Sequence, residues 1–142
     1  MAEKTVWHYS MYPQLLTMLR DGFIRPATTF VEPPERPIVW FSKSQTWERT
    51  VTKGVRLPDG SSVTLVFRGM LSHGVRPVRI AVSPEIAPYD WPALRRLSGM
   101  ESRMANGRVR VAGELGADPR RWRGTLPSRP SGTRQVSVRF AR

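Results

Sequence analysis

The chain has 142 residues, of which 39% are hydrophobic and 24% charged, and this predicts a single domain over residues 1–142 with a modest core. It contains no Cys and only two His, His8 and His73, which excludes disulfides, thiol nucleophiles and His-rich metal sites. No apolar run approaches the roughly 20 residues that span a bilayer, and the first residues lack the apolar stretch of a secretory signal. We therefore expect a soluble, cytoplasmic protein with no metal site and no membrane partner.

The formal net charge of +12 comes mainly from Arg, which supplies 20 of the 23 basic residues. The first 71 residues hold nine basic and six acidic residues, whereas residues 72–142 hold fourteen and five. Arg presents a flat fork of donors that suits phosphate, so DNA or RNA is one partner for this second half. An Arg-rich, solvated surface is the other interpretation, and composition does not separate the two.

The first half of the chain predicts strands separated by one helix and one loop. Pro13 favours a helix start, where its missing N–H needs no partner, and Gly22 is typical of a helix end. Three prolines within Thr28–Pro37 predict a loop, and the β-branched and aromatic run after it predicts a strand buried on both faces. The predicted elements are a strand at Thr5–Ser10, a helix over about 13–21, a short extended piece at Ile24–Pro26, a strand at Ile38–Ser42 and a short helix over Gln45–Thr50 capped by Ser42 or Ser44.

The second half predicts further short strands and helices. Alternating apolar and polar residues after the Pro58–Gly60 turn predict a strand at Ser62–Arg68, and Asp90 predicts a helix N-cap. The other predicted elements are a strand at Val78–Val82, a helix from Trp91 to Leu97 closed by Gly99, a turn around Arg120–Trp122 after Asp118, an otherwise loop-like stretch at Arg108–Gly132 and a final strand at Gln135–Phe140. Together they predict an α+β domain with mostly antiparallel pairing.

Several enzyme classes lack their motifs in this chain. It has no Gly-rich phosphate loop, no nucleophile elbow of the form GxSxG and no zinc-binding HExxH. A Ser-His-Asp site would have to use His8 or His73, and no neighbouring residues support it. The sequence therefore disfavours hydrolases.

Roughly the first 50 residues carry a pattern of two strands and a helix. A strand with His is followed two places on by a small hydroxyl residue, then by a helix ending in Gly and a strand that closes on Ser. The positions that form this pattern are His8, Ser10, Leu15, Met18, Gly22, Phe23 and Ser42. The pattern resembles the amino-terminal half of the ADP-ribosyltransferase superfamily, which includes DNA-modifying toxins and RNA 2′-phosphotransferases, and the stretch from Trp7 to Glu48 also resembles a set of small bacterial or phage proteins. The resemblance implies a small domain of two packed, mostly antiparallel sheets with short helices.

The resemblance also implies where NAD would bind. In that superfamily NAD lies in a cleft between two small sheets, and aromatic faces hold its cationic nicotinamide ring. His8 would hydrogen-bond the adenosine ribose, backbone groups of Tyr9 would hold the nicotinamide amide and Ser10 would support that site. The remaining implied contacts are stacking on nicotinamide by Tyr12, Trp40 or Phe41 and a ribose hydrogen bond from Ser42.

The resemblance further implies a catalytic carboxylate that stabilises an oxocarbenium-like transition state. Family members with this glutamate carry it at the start of a late strand, where this chain has Arg134 or Gln135. The candidates for the catalytic role beside His8 are Glu48 and, from the later loops, Glu101 or Glu114. A chain without a catalytic glutamate is the remaining alternative.

Three functions follow from these observations. The first is NAD-dependent ADP-ribosylation of a macromolecule, either nucleic acid or protein. The second is a non-catalytic basic domain that binds nucleic acid or an acidic protein, for example as a phage-type inhibitor. The third is RNA 2′-phosphate transfer, which also uses NAD.

The same residues have purely structural interpretations. His8 suits a core or edge histidine, and strand neighbours such as Trp40 and Phe41 suit core packing on at least one side. Glu48 with the Arg that follows it is typical of an exposed charge pair. Trp122, among several Arg residues, suits either base stacking or packing.

Overall fold

The computed structural model describes residues 5–28 and 31–127 and the backbone of residues 136–137. The strands are β1 (Val6–Met11), β2 (Phe23–Ile24), β3 (Val39–Ser42), β4 (Lys53–Arg56), β5 (Ser62–Leu65), β6 (Pro77–Val82), β7 (Tyr89–Asp90), β8 (Trp122–Thr125) and β9 (Val136–Ser137). The helices are α1 (Tyr12–Asp21), α2 (Phe67–Ser72), α3 (Trp91–Leu97) and α4 (Ser102–Leu115). The α+β class is confirmed. Within the described ranges, no helix combines the length and apolarity needed to cross a membrane.

Five strands form one antiparallel sheet in the order β6-β1-β3-β8-β7, and the pairs β2–β9 and β4–β5 form two small antiparallel sheets. β1 pairs with β6 along its whole length, whereas its register pair with β3 is Trp7 with Ser42. The antiparallel pairing is confirmed. Of the strand predicted at Gln135–Phe140, β9 is described and the other residues lie outside the described part of the chain.

The two faces of the central sheet carry separate hydrophobic clusters because neighbouring strand residues point to opposite sides. On one face, Val39 and Phe41 pack with Met18 of α1. On the other, Trp40 packs beside Leu94 of α3 in a cluster that also includes the start of α4. A third cluster joins the β4–β5 hairpin and α2 to the end of β1 through Met11, Leu65 and Met70.

The residues predicted to begin or end α1 and α3 do so in the structure. Pro13 lies in the first turn of α1, and Gly22 ends that helix in the left-handed conformation, with φ 80° and its N–H bonded to the Met18 carbonyl at 2.8 Å. Asp90 caps α3 by accepting the Ala93 N–H at 3.1 Å. The strands predicted at β1, β3 and β6 are confirmed as well.

Two predictions in the middle of the chain are wrong. Gln45–Thr50 forms bends and a turn rather than a helix, because the Glu48 side chain bonds to the backbone of Thr50. The strand predicted at Ser62–Arg68 ends at Leu65, and α2 follows it because that helix buries apolar side chains in the third cluster.

The prediction of a loop over Arg108–Gly132 is also wrong in part. Its first residues complete α4, whose buried side chains are Ala105 and Ala112, and β8 lies further along. Ala packs closely but contributes little to a hydrophobic pattern, so the Gly and Arg content of this stretch concealed the helix. The predicted turn after Asp118 is confirmed as a single 3-10 turn that Asp118 caps through the Arg120 N–H. β4 was not among the predicted elements.

Candidate functional site

His8 lies in β1 and is fixed by one backbone acceptor. Its Nδ1 is 2.8 Å from the Trp40 carbonyl oxygen, and because a carbonyl only accepts, Nδ1 carries the proton. The ring meets Phe41 edge-on, with 5.6 Å between centroids. Burial lowers the pKa of His8 from its ordinary value of 6.5, and the hydrogen bond to Trp40 opposes this shift in part. His8 is therefore a neutral imidazole at pH 7, with Nε2 as an acceptor.

The burial of His8 predicts a loss of stability in mild acid. The folded protein keeps His8 neutral, whereas the unfolded chain protonates it below about pH 6.5. Burying neutral His8 therefore costs no stability above about pH 6.5. As the pH falls from there toward the lowered pKa of His8, the free energy of unfolding decreases by at most about 1.4 kcal/mol per pH unit. Urea unfolding across pH measures this slope. His8→Asn keeps a donor for Trp40 but does not titrate, so identical pH profiles for wild type and variant would contradict the assignment.

The residues that the resemblance assigns to NAD fall into two sets, because strand neighbours alternate between faces. The set on the face covered by α1 is His8, Ser10 and Phe41. The set on the opposite face is Tyr9, Trp40 and Ser42. Tyr12 stands apart at the start of α1, with the Arg76 guanidinium 5.7 Å from its ring centre. The structure does not bring all of these side chains to one side of the sheet.

Glu48 is buried in the segment that follows β3, with 6% of its surface exposed. Its Oε1 accepts from the Ser42 hydroxyl at 3.0 Å, and its Oε2 accepts from the Thr50 N–H at 3.0 Å and the Thr50 hydroxyl at 2.6 Å. Ser42 Oγ accepts the Ser44 N–H at 3.0 Å in turn. Ser42 and Glu48 therefore come together. The carboxylate shapes this segment and does not form the exposed charge pair expected with Arg49.

The other carboxylates considered for catalysis lie elsewhere. Glu101 precedes α4 and is exposed, and Glu114 is exposed near the end of the same helix. α4 packs on the face of the sheet opposite His8, so the fold does not bring either group to that imidazole. Arg134 and Gln135 lie outside the described residues. Within the described part of the chain, no group of three His, Asp or Glu could hold a metal ion.

Ring contacts tie the segment after β3 to the sheet and to α2. The Tyr9 hydroxyl donates to the Ser44 carbonyl, and the Tyr9 ring meets Trp47 edge-on at 4.9 Å between centroids. Trp47 packs in turn on Phe67 at the start of α2, with 5.0 Å between centroids and a tilt of 49°. These contacts place the rings of Trp47 and Phe67 side by side.

The two rings belong to a groove of about 770 Å³. Among the residues that the structure describes, four separate parts of the chain form its wall: the segment after β3, the start of α2, the end of α4 and the turn before β8. The lining residues with side chains suited to binding are Gln45, Trp47, Arg49, Phe67, Arg68 and Arg121. No Asp or Glu occurs among the described residues that line it. We call this surface the Arg–aromatic groove.

The end of α4 positions one of the three Arg side chains. Gly116 ends the helix at φ 74°, and a Cβ placed there would lie 2.8 Å from Nη1 of Arg49. The Arg49 guanidinium thus lies against the carboxyl end of α4, where the helix dipole favours a cation. Arg68 and Phe67 are exposed, Phe67 by 39%. The groove therefore presents both charge and an open ring to a ligand.

The excess of Arg in the second half of the chain did not predict this groove. Three Arg residues line the groove, and two of them, Arg49 and Arg68, lie in the first half of the chain. The signal available in the sequence is an aromatic residue close to each of them, Trp47 two places before Arg49 and Phe67 directly before Arg68. Trp122 is 5% exposed and serves packing rather than base stacking.

Comparisons with models of known protein families, with curated proteins and with solved structures find no match to this chain. The resemblance to ADP-ribosyltransferases and the NAD site that it implies therefore stay predictions, carried by the sequence pattern.

Proposed function

We propose that this protein binds single-stranded nucleic acid in the Arg–aromatic groove. The main support is that three Arg side chains and two aromatic rings share one concave surface whose described lining contains no acid. Arg side chains neutralise phosphates, and exposed rings stack on bases. An acidic peptide would use the charges but not the rings, and a duplex would keep its bases away from the rings. The net charge of +12 adds a long-range attraction to any polyanion.

Fluorescence anisotropy of a labelled single-stranded oligonucleotide, measured over a series of salt concentrations, tests this proposal. We expect Arg68→Ala to reduce the slope of log affinity against log salt by about 1, as the loss of one phosphate contact does. Arg103→Ala is the matched control, because Arg103 is exposed and lies about 18 Å along α4 from Leu115 at 1.5 Å per residue. Equal changes of slope in both variants would place binding on the whole basic surface and contradict the proposal.

The same titration separates stacking from charge. Phe67→Ala removes an exposed ring and no charge, so we expect affinity to fall roughly 5-fold or more with the salt slope unchanged. Circular dichroism checks that each variant is folded. An affinity equal to that of the wild type would exclude base stacking on Phe67.

A second candidate is NAD-dependent ADP-ribosylation of a macromolecule, and His8 is the observation that favours it. Its Nε2 is an acceptor held in one tautomer, and a ribose hydroxyl is a matching donor. Ser42 offers less, because its hydroxyl already donates to Glu48. Calorimetric titration of NAD into wild type and His8→Asn at moderate salt tests this candidate. Heat of NAD binding that the wild type shows and the folded His8→Asn variant lacks supports this candidate. If the wild type shows no heat of NAD binding, both ADP-ribosylation and RNA 2′-phosphate transfer are contradicted.

A further inference from the structure

Next to the Arg–aromatic groove, an Arg side chain is stacked on an indole ring. Cζ of Arg79 on β6 lies 4.0 Å from the centre of the Trp7 ring on β1. Both residues also contact Gln45: the Trp7 Nε1–H donates to Gln45 Oε1 at 3.0 Å, and Arg79 donates to the Gln45 carbonyl. The Arg79 guanidinium is therefore fixed by two contacts, stacking on the Trp7 ring and a hydrogen bond to the Gln45 backbone carbonyl.

This arrangement leaves a flat surface for a ligand. Arg79 is exposed although the Trp7 ring covers one face of its guanidinium, so a ligand can reach this side chain. A guanidinium plane is a surface on which nucleic-acid bases stack, and its charge also attracts phosphate. Because Trp7 and Gln45 already fix the side chain, little conformational freedom is lost when a base is added.

Gln45 connects this surface to the groove. It lines the Arg–aromatic groove and at the same time contacts both Trp7 and Arg79. We propose that Trp7 and Arg79 form a second base-stacking site, contiguous with the groove, so that a strand bound in the groove continues over Arg79. This inference rests on the proposed function and extends it by the length of strand that the protein binds.

Arg76 offers a matched control for Arg79. It is also exposed, and its Cζ lies 5.7 Å from the centre of the Tyr12 ring, so it too is an Arg beside an aromatic ring. It precedes β6, beside the start of α1, and it is not among the described residues that line the groove. Replacing either Arg by Lys keeps the positive charge and removes the planar guanidinium group.

Anisotropy measurements with single strands of about 4 and about 12 nucleotides test the inference, because single-stranded sites commonly cover lengths in this range. We expect Arg79→Lys to weaken binding of the longer strand roughly 5-fold or more and to leave the shorter strand within about twofold. Arg76→Lys should leave both within about twofold. Trp7→Leu should repeat the length-dependent loss, whereas Trp7→Phe, which retains a ring under Arg79, should not.

Two results would overturn the inference. Equal losses for both lengths after Arg79→Lys would show that Arg79 only supports the groove, and equal effects of Arg79→Lys and Arg76→Lys would show that stacking at this place does not contribute. Failure of the proposed function gives a different pattern: the wild type then binds neither strand, or Arg68→Ala binds both as the wild type does. Binding of a duplex as tightly as the longer single strand would likewise exclude base stacking over Arg79.

Discussion

We expect Glu48→Ala to lower the free energy of unfolding by about 3 kcal/mol and to weaken oligonucleotide binding as well. The buried carboxylate accepts hydrogen bonds from the Ser42 hydroxyl and from the N–H and hydroxyl of Thr50. Its removal leaves the buried Ser42 hydroxyl without its acceptor, and a hydrogen bond to a charged group contributes about 1.5–3 kcal/mol. The two Thr50 donors are only partly buried, so water can replace the carboxylate there and they add little to the loss. Because Trp47 and Arg49 flank Glu48 in the chain and line the groove, binding should fall together with stability.

Two further variants separate the effect of the buried Glu48 hydrogen bonds from a general effect of removing a negative charge. Glu48→Gln keeps a carbonyl oxygen for the Thr50 donors and an amide for Ser42 Oγ, so we expect about half the loss, roughly 1–2 kcal/mol. Glu114→Ala removes an exposed carboxylate and should change stability by no more than about 0.5 kcal/mol. Urea unfolding followed by circular dichroism measures all three. A loss below about 1 kcal/mol for Glu48→Ala would show that the segment does not depend on this carboxylate.

The second large effect is expected at Gly124 in β8. A Cβ at this position would lie 2.9 Å from the carbonyl oxygen of Val39 and 3.0 Å from side-chain atoms of Ile38 and Leu94. These neighbours are at most 1% exposed, and one of the contacts is backbone, so the sheet itself must shift to admit a methyl group. We expect Gly124→Ala to lower the free energy of unfolding by about 2–3 kcal/mol.

Gly54 in β4 provides the control for that substitution. It is also a strand glycine, but a Cβ there would meet no atom within 4 Å. Gly54→Ala should therefore be neutral or should stabilise the protein by about 0.5 kcal/mol through the unfolded chain. Urea unfolding of the two variants measures the difference. Equal midpoints would contradict the close packing of β8 against β3 and α3.

The elements that could be predicted are those that local residues determine. Pro13 and Gly22 bound α1, and Asp90 starts α3, because each acts on backbone groups within a few positions of itself. β3 could be predicted because its apolar run is continuous and rich in β-branched and aromatic residues. The resemblance singled out His8 and Ser42, and the structure adds their partners, a backbone carbonyl and a buried carboxylate.

The groove and the role of Glu48 depend on contacts that no local pattern shows. Arg49, Arg68 and Arg121 come together only when the strands pair and α4 returns to the segment after β3. The sequence around Glu48 is typical of an exposed charge pair, yet the carboxylate is buried because Ser42, six places earlier, turns its hydroxyl toward it. α4 could not be predicted because its buried side chains are small and its apolar pattern is therefore weak.

The most direct test of the Arg–aromatic groove is an NMR titration of isotope-labelled wild-type protein with a single-stranded oligonucleotide at low salt. We expect the backbone amides of the exposed residues Phe67 and Arg68 to shift most, while the indole N–H of the buried Trp122 stays in place. Shifts centred on His8 and its neighbours, or no shifts at any oligonucleotide concentration, would contradict binding in the groove.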